Sequence, residues 1–285
     1  MQRRIGTLGE NPARFKCRDR YQTFYKKLTD RMRKTLLFVI LLLTFLSCIK
    51  EREKFVIKGR VTDFNGKPID SVTIRLKNRA FENVYETLSD SNGNYSLEVN
   101  KGNYYCLYAI KLSEYRVNRL EYWAWNVPVY EDMVINPQYD RMEIYGINVF
   151  EPQVTPQETY MLYFRPMSLY KTLEIVSKQE VDNKKFQKTK QAEDLLRKTN
   201  KIINMSPDTI TANELKIEIN GVAAEIVGIS RITEYARDIL MYGYIVQVLK
   251  PKNNGQLELK YDRISITLNS SETGEIGKGE TFVLR

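Results

Sequence analysis

Histidine does not occur among the 285 residues. Its absence excludes a Ser-His-Asp or Cys-His nucleophile and any zinc ion held by imidazole. Carboxylates, Lys and Tyr remain as acid–base groups. Cysteine is almost as scarce, with only Cys17, Cys48 and Cys106. Three thiols at these spacings do not build a disulfide framework. No P-loop, dinucleotide fingerprint or internal repeat is present. Basic excess is also missing from most of the chain, although the net charge is +9. Residues 1–47 hold eleven of the 44 Lys+Arg and three of the 35 Asp+Glu, leaving 33 against 32 from residue 48 onward. A groove for nucleic acid would need its positive charge in the folded part. No nucleic-acid partner is expected.

A long apolar run is lacking too. The best candidate, Leu36-Leu37-Phe38-Val39-Ile40-Leu41-Leu42-Leu43-Thr44-Phe45-Leu46, falls well short of the roughly 20 residues that cross a bilayer. It follows Arg33-Lys34 and ends at Ser47-Cys48, the order of a basic region, an apolar core and a small residue before a cleavage point. Phe45-Leu46-Ser47-Cys48 resembles a lipobox, although Phe45 stands where Leu is usual. The resemblance implies cleavage before Cys48, lipidation of that thiol, and an anchor in a membrane, the outer membrane being the expected one. A short uncleaved signal anchor is the competing reading. Met32 stands directly before the basic pair, which suggests that translation begins there. Residues 48–54 read as a charged tether, and Glu51 and Glu53 resemble the acidic residues that follow the lipidated cysteine in some surface lipoproteins of the Bacteroidota. With Cys48 lipidated, Cys106 has no intramolecular partner. It lies in the apolar run Tyr104–Ile110 and is expected as a buried core residue.

From Phe55 the chain reads as short strands with turn punctuation. Phe55–Val61, Val72–Leu76, Tyr95–Val99 and Tyr104–Ile110 are separated by clusters of Asp, Asn, Gly and Pro. Gly59-x-Val61-x-Asp63-x-x-Gly66-x-Pro68-Ile69, Ser89-Asp90-x-x-Gly93-x-Tyr95-x-Leu97 and Gly102-x-Tyr104 together resemble the carboxypeptidase regulatory-like family. The resemblance covers about 55 residues, assigned here to a domain at 55–112, and implies a transthyretin-like β-sandwich without peptidase residues. Fold follows from such a module more readily than function. Asp90, Asn92 and Asn94 could suggest a calcium loop. Gly93 comes fourth and Lys101 twelfth, where an EF-hand needs Gly sixth and Glu twelfth, so an Asx turn is expected and no metal.

Residues 113–156 are aromatic and Pro-interrupted and read as a connector. They contain Trp123 and Trp125, which share one face if Tyr122–Val127 is a strand. Two readings stand for the pair: a buried core or interdomain contact, or a platform that stacks on sugar rings. Residues 157–285 are expected as a second β-sandwich, with an immunoglobulin-like arrangement as one candidate. Thr159–Phe164 and Lys171–Val176 look like strands, and 184–203 like an amphipathic helix. Asn220-Gly221 between Glu214–Ile219 and Val222–Ile226 signals a two-residue hairpin. Further strands are expected at Gly243–Leu249, Leu257–Tyr261, Arg263–Leu268 and Thr281–Leu284.

The expected class is therefore all-β: a transthyretin-like sandwich, then a second sandwich with one inserted helix. Glycosidase chemistry would need two carboxylates facing each other. The acidic residues are scattered singly along the chain, so no catalytic residue and no cofactor is expected. The reading is an envelope-anchored binding or structural module, with a glycan or an envelope protein as partner. An accessory component of an outer-membrane nutrient uptake system is the alternative.

Overall fold

The computed structural model describes residues 26–27, 29–36, 53–153, 156–178, 204–236, 239–252 and 260–284. Two compact units divide the chain, Met1–Arg52 and Glu53–Arg285. In the first, the described residues are helical and exposed. Cys48, the apolar run from Leu37 to Ser47, the helix expected at 184–203 and the start of the strand expected at Leu257–Tyr261 lie outside the described residues.

The second unit begins with β1 (Lys54–Arg60), β2 (Thr73–Lys77), β3 (Asn83–Leu88), β4 (Asn94–Asn100) and β5 (Gly102–Ile110). Two twin turns set this order. Asp63 Oδ1 accepts the N–H of Asn65 and of Lys67, both at 2.9 Å. Asp90 Oδ1 does the same for Asn92 and Asn94, at 2.9 and 2.8 Å. The Asp90 loop is thus an Asx turn that uses its carboxylate on its own backbone. Strand β4 alternates strictly, with Tyr95, Leu97 and Val99 inward, as a half-buried antiparallel strand does.

Residues 113–156 do more than connect. They hold β6 (Tyr122–Val129), β7 (Met133–Val134) and β8 (Met142–Phe150). Strand β6 pairs along most of β5, and β7 pairs in parallel with Ile57 and Lys58 of β1. The first sandwich, sheet β4-β1-β7 against β3-β2-β5-β6, therefore needs residues well past 112. The reason is polar accounting. A segment buried this deeply must pair its backbone groups, and the free edges of β5 and β1 supply the partners.

The second half adds β9 (Thr159–Ser168), β10 (Leu215–Ile219), β11 (Val222–Ala223), β12 (Ile226–Ala236), β13 (Ile239–Leu249), β14 (Tyr261–Asn269) and β15 (Ile276–Leu284). One layer runs β12-β13-β9-β8 and the other β11-β10-β14-β15. Leu162, Phe164 and Val246 of the first meet Ile217, Ile264 and Ile266 of the second in the core. Asn220 and Gly221 both adopt positive φ, 53° and 81°, as a type I′ hairpin turn requires. The hairpin forms, but β11 lasts two residues before the chain crosses to β12.

One expected strand is a helix. Lys171–Val176 lies inside α1 (Leu169–Lys178). Ser168 is its N-cap: Ser168 Oγ accepts the Lys171 N–H at 3.1 Å, and Glu275 accepts the Tyr170 N–H at 2.8 Å. Leu169, Thr172 and Leu173 fall at helical spacing, with Leu169 and Thr172 buried.

The two halves share a sheet through β15. One edge of β15 pairs with β14 along its whole length. The other pairs with β8 at Gly277 and Lys278, then with β6 at Gly279–Thr281. The sheet forks there, one branch continuing through β6 and the other through β8. Close approach at the fork demands a small residue, since a Cβ on Gly279 would lie 2.7 Å from the Ile144 carbonyl oxygen. A single core extends from Ile57 to Phe282.

Candidate functional site

The site at the fork is built from side chains that share faces of the diverging branches. On the first branch Lys77, Cys106 and Trp125 stand directly opposite one another across β2, β5 and β6, as do Arg75, Tyr108 and Trp123. Directly opposed residues point to the same face. The second branch contributes Tyr145 of β8 and Arg165 of β9, which oppose each other in register.

Trp123 and Trp125 are 5 % and 4 % exposed. Their rings stack at 5.2 Å with 16° between planes, and Tyr145 meets both edge-on at 5.4 and 5.2 Å. Tyr108 and Phe81 flank Trp123, at 4.8 and 5.8 Å, and Tyr105 flanks Trp125 at 5.4 Å. The indoles therefore present no open face to a sugar ring. Neither indole N–H finds a hydrogen-bond partner among the described residues. An unpaired buried donor costs about 1–3 kcal/mol, which the ring burial must outweigh.

Two features rim this cluster. Phe81 closes the β2–β3 hairpin with φ of 66°, a conformation bulky residues rarely adopt. The Lys77 ammonium lies 4.8 Å from the centre of its ring and donates to Asn83 Oδ1 at 2.6 Å. Burial lowers the Lys77 pKa and pushes the Cys106 thiol up to about 12, so Cys106 is a protonated, buried, free thiol. It is an inert core residue, not a nucleophile. On the other side the Arg165 guanidinium covers Tyr145 at 4.9 Å and reaches Glu234 at 3.0 Å.

Sequence reading missed a carboxylate pair. Glu121, just before β6, and Glu143 of β8 are 22 positions apart in the chain, yet both are buried, and Glu143 Oε2 accepts the Glu121 N–H at 3.4 Å. Burial, then the neighbouring Glu121 carboxylate, raise the Glu143 pKa well above its ordinary value, against the pull of Arg116. The acidic residues were scattered in sequence, and only the fork brings these two together.

A groove opens beside the aromatic cluster. It encloses about 290 Å³ and is lined by Arg79, Asn103, Tyr105, Asn126, Asn148 and the end of β15. Two in-strand irregularities shape it. Asn126 takes φ of 56° within β6, and Gly146 takes φ of 66° within β8, where the register with β9 shifts between Tyr145 and Asn148. Such irregularities bend a strand and re-aim its side chains. The Asn126 amide donates to Thr281 Oγ1 at 3.3 Å, and the Asn148 amide to the Gly146 carbonyl at 3.0 Å. The signal for these residues was an Asn and a Gly inside otherwise strand-like runs.

A second cavity, of about 580 Å³, lies between Glu131–Val134 and the β14–β15 pair. Its charges are mostly spent on each other. Glu280, 2 % exposed, receives Arg263 Nε at 2.7 Å and sits 3.3 Å from the Lys278 ammonium. Among the described residues no group of three or more Cys, Asp or Glu is placed to hold a metal ion.

Comparison with known proteins agrees with the first sandwich. Residues 56–109 match the model of the carboxypeptidase regulatory-like domain family, and this segment is a domain of that family. No curated protein matches the chain. Among solved structures, a variant of BcpA, the major pilin subunit of Bacillus cereus, is 10 % identical, with 81 % of this chain and 69 % of that chain covered and a TM-score of 0.26. A DUF3823 family protein from Parabacteroides merdae is 10 % identical, covering 82 % of this chain and 100 % of that chain, with a TM-score of 0.25. Another from Bacteroides ovatus is 10 % identical, with 81 % and 100 % covered and a TM-score of 0.24.

Proposed function

We propose that this protein is a non-catalytic binding module that displays its β-sandwiches at the cell envelope, held to the outer membrane by lipid on Cys48. The observation that supports the anchor is the order Arg33-Lys34, a short apolar run, and Ser47-Cys48. Among the described residues no helix is long and apolar enough to cross a membrane. The non-catalytic reading draws support from the carboxypeptidase regulatory-like domain, and from the placement of the acidic pair. Glu121 and Glu143 are buried, at 7 % and 2 % exposure, and neither lines the groove.

Growth with labelled palmitate tests the anchor. The wild-type chain should carry label and sediment with membranes. Cys48→Ala should carry none, and should be released or persist as an unprocessed precursor. Label retained by Cys48→Ala would overturn the proposal. An accessory role in outer-membrane nutrient uptake is the second reading, favoured by the polar groove at the fork.

A further inference from the structure

We propose that the groove at the fork, lined by Asn103, Asn126 and Asn148 with Tyr105 on one wall and Arg79 at its rim, is a binding site for a neutral oligosaccharide. The inference rests on the binding-module reading and is independent of the lipid anchor. Its volume of about 290 Å³ stands at the small end of ligand sites, the scale of one or two sugar rings.

The lining selects the chemistry. Three side-chain amides converge from three strands, Asn103 from β5, Asn126 from β6 and Asn148 from β8, and all three residues are exposed. A carboxamide both donates and accepts, which complements neighbouring hydroxyls. Asn126 and Asn148 each spend one N–H within the protein, and the Oδ1 and second N–H of each have no hydrogen-bond partner among the described residues. Among the described lining residues Arg79, at the rim, is the one charged group, and the three amides between β5, β6 and β8 are neutral, so the polar surface that a ligand meets is mostly uncharged. Tyr105 is half-buried, held edge-on by Trp125 at 5.4 Å and Phe81 at 6.0 Å, and gives the wall a fixed aromatic surface.

The backbone supports the same conclusion. Left-handed Asn126 lies within β6 in the groove lining, and left-handed Gly146 lies within β8 two residues before Asn148. Residues held in sparsely populated backbone regions cluster at ligand sites. The aromatic stack of Trp123 and Trp125 lies behind Tyr105 and stiffens the wall without touching a ligand. A peptide added as a strand is the weaker fit. Beyond Thr281 the free edge of β15 offers only Phe282–Leu284, and Phe282 is buried.

The test uses the full chain purified in detergent, on a printed array of neutral gluco-, galacto-, manno- and xylo-oligosaccharides beside uronic-acid, sulfated and peptide probes. At least one neutral series should be retained. Asn103→Asp, a surface change at a side chain with no hydrogen bond among the described residues, should weaken that retention about tenfold or more, the scale of losing a well-placed hydrogen-bonding group, with the melting temperature unchanged. Retention of no glycan, of acidic glycans or peptides only, or equal retention by the variant would each overturn the site. Failure of the anchor would appear instead in palmitate labelling and would leave this result standing.

Discussion

Trp125 and Glu143 show how single side chains are decided by the fork. The two tryptophans were legible as one strand face, but a strand face says nothing about what covers it. Tyr145, from 20 residues downstream, supplies the cover. Trp125→Ala should cost about 3–5 kcal/mol, the usual penalty for emptying a large aromatic site, measured by urea denaturation. Trp125→Phe should cost far less, since it keeps a ring and removes an unpaired N–H. An unchanged midpoint in Trp125→Ala would contradict the packing described. Glu143 makes a pH prediction. Its folded pKa is raised by burial and by Glu121, and Arg116 opposes. A raised folded pKa favours the fold fully below the unfolded value, about 4.3. That contribution is lost as pH rises through the folded pKa. The wild type should lose stability as pH rises above about 4.3, and Glu143→Gln should flatten the profile. Parallel profiles for the two proteins would refute a protonated Glu143.

Individual elements were legible where turn chemistry or alternation was strong. The twin Asp63 and Asp90 turns, β4 and the Asn220-Gly221 hairpin all follow from short-range residue chemistry. Elements failed where tertiary partners decide. Lys171–Val176 alternates like a strand, yet Ser168 and Glu275 cap it into α1, and Glu275 is more than 100 residues away. Strand β3 carries exposed Val84 and Leu88, so its alternation gave no sign of a strand, although β2 pairs with it along its length. The groove residues were missed because Asn126 and Gly146 matter through backbone conformation. Strand β15 offers the direct check at this scale. Gly279→Ala would push a Cβ to 2.7 Å from the Ile144 carbonyl oxygen, so the two branches must separate there. The expected result is a loss of about 1–3 kcal/mol, as for overpacking in a closed core, with Trp emission shifted to the red as the wedge opens. A neutral Gly279→Ala would mean that the fork tolerates slack.

At the scale of the molecule, the described residues from Glu53 onward form one compact unit, although its sheets read in sequence as two sandwiches and a connector. The all-β class was legible from alternation and turn chemistry along the chain, and the carboxypeptidase regulatory-like domain from local patterns at 56–109. The fusion through β15 was not, because it depends on parallel pairing of β15 with strands 135 and 156 positions earlier. A unit so joined suits a body that displays a surface, and the proposed role requires that it be tethered. The most direct measurement is the intact mass, with N-terminal sequencing, of the protein extracted from membranes. The account predicts a chain that begins at Cys48, lacks residues 1–47 and carries the added mass of lipid on that cysteine. A membrane-associated chain that still contains Arg33-Lys34, or one cleaved elsewhere without lipid, would contradict it.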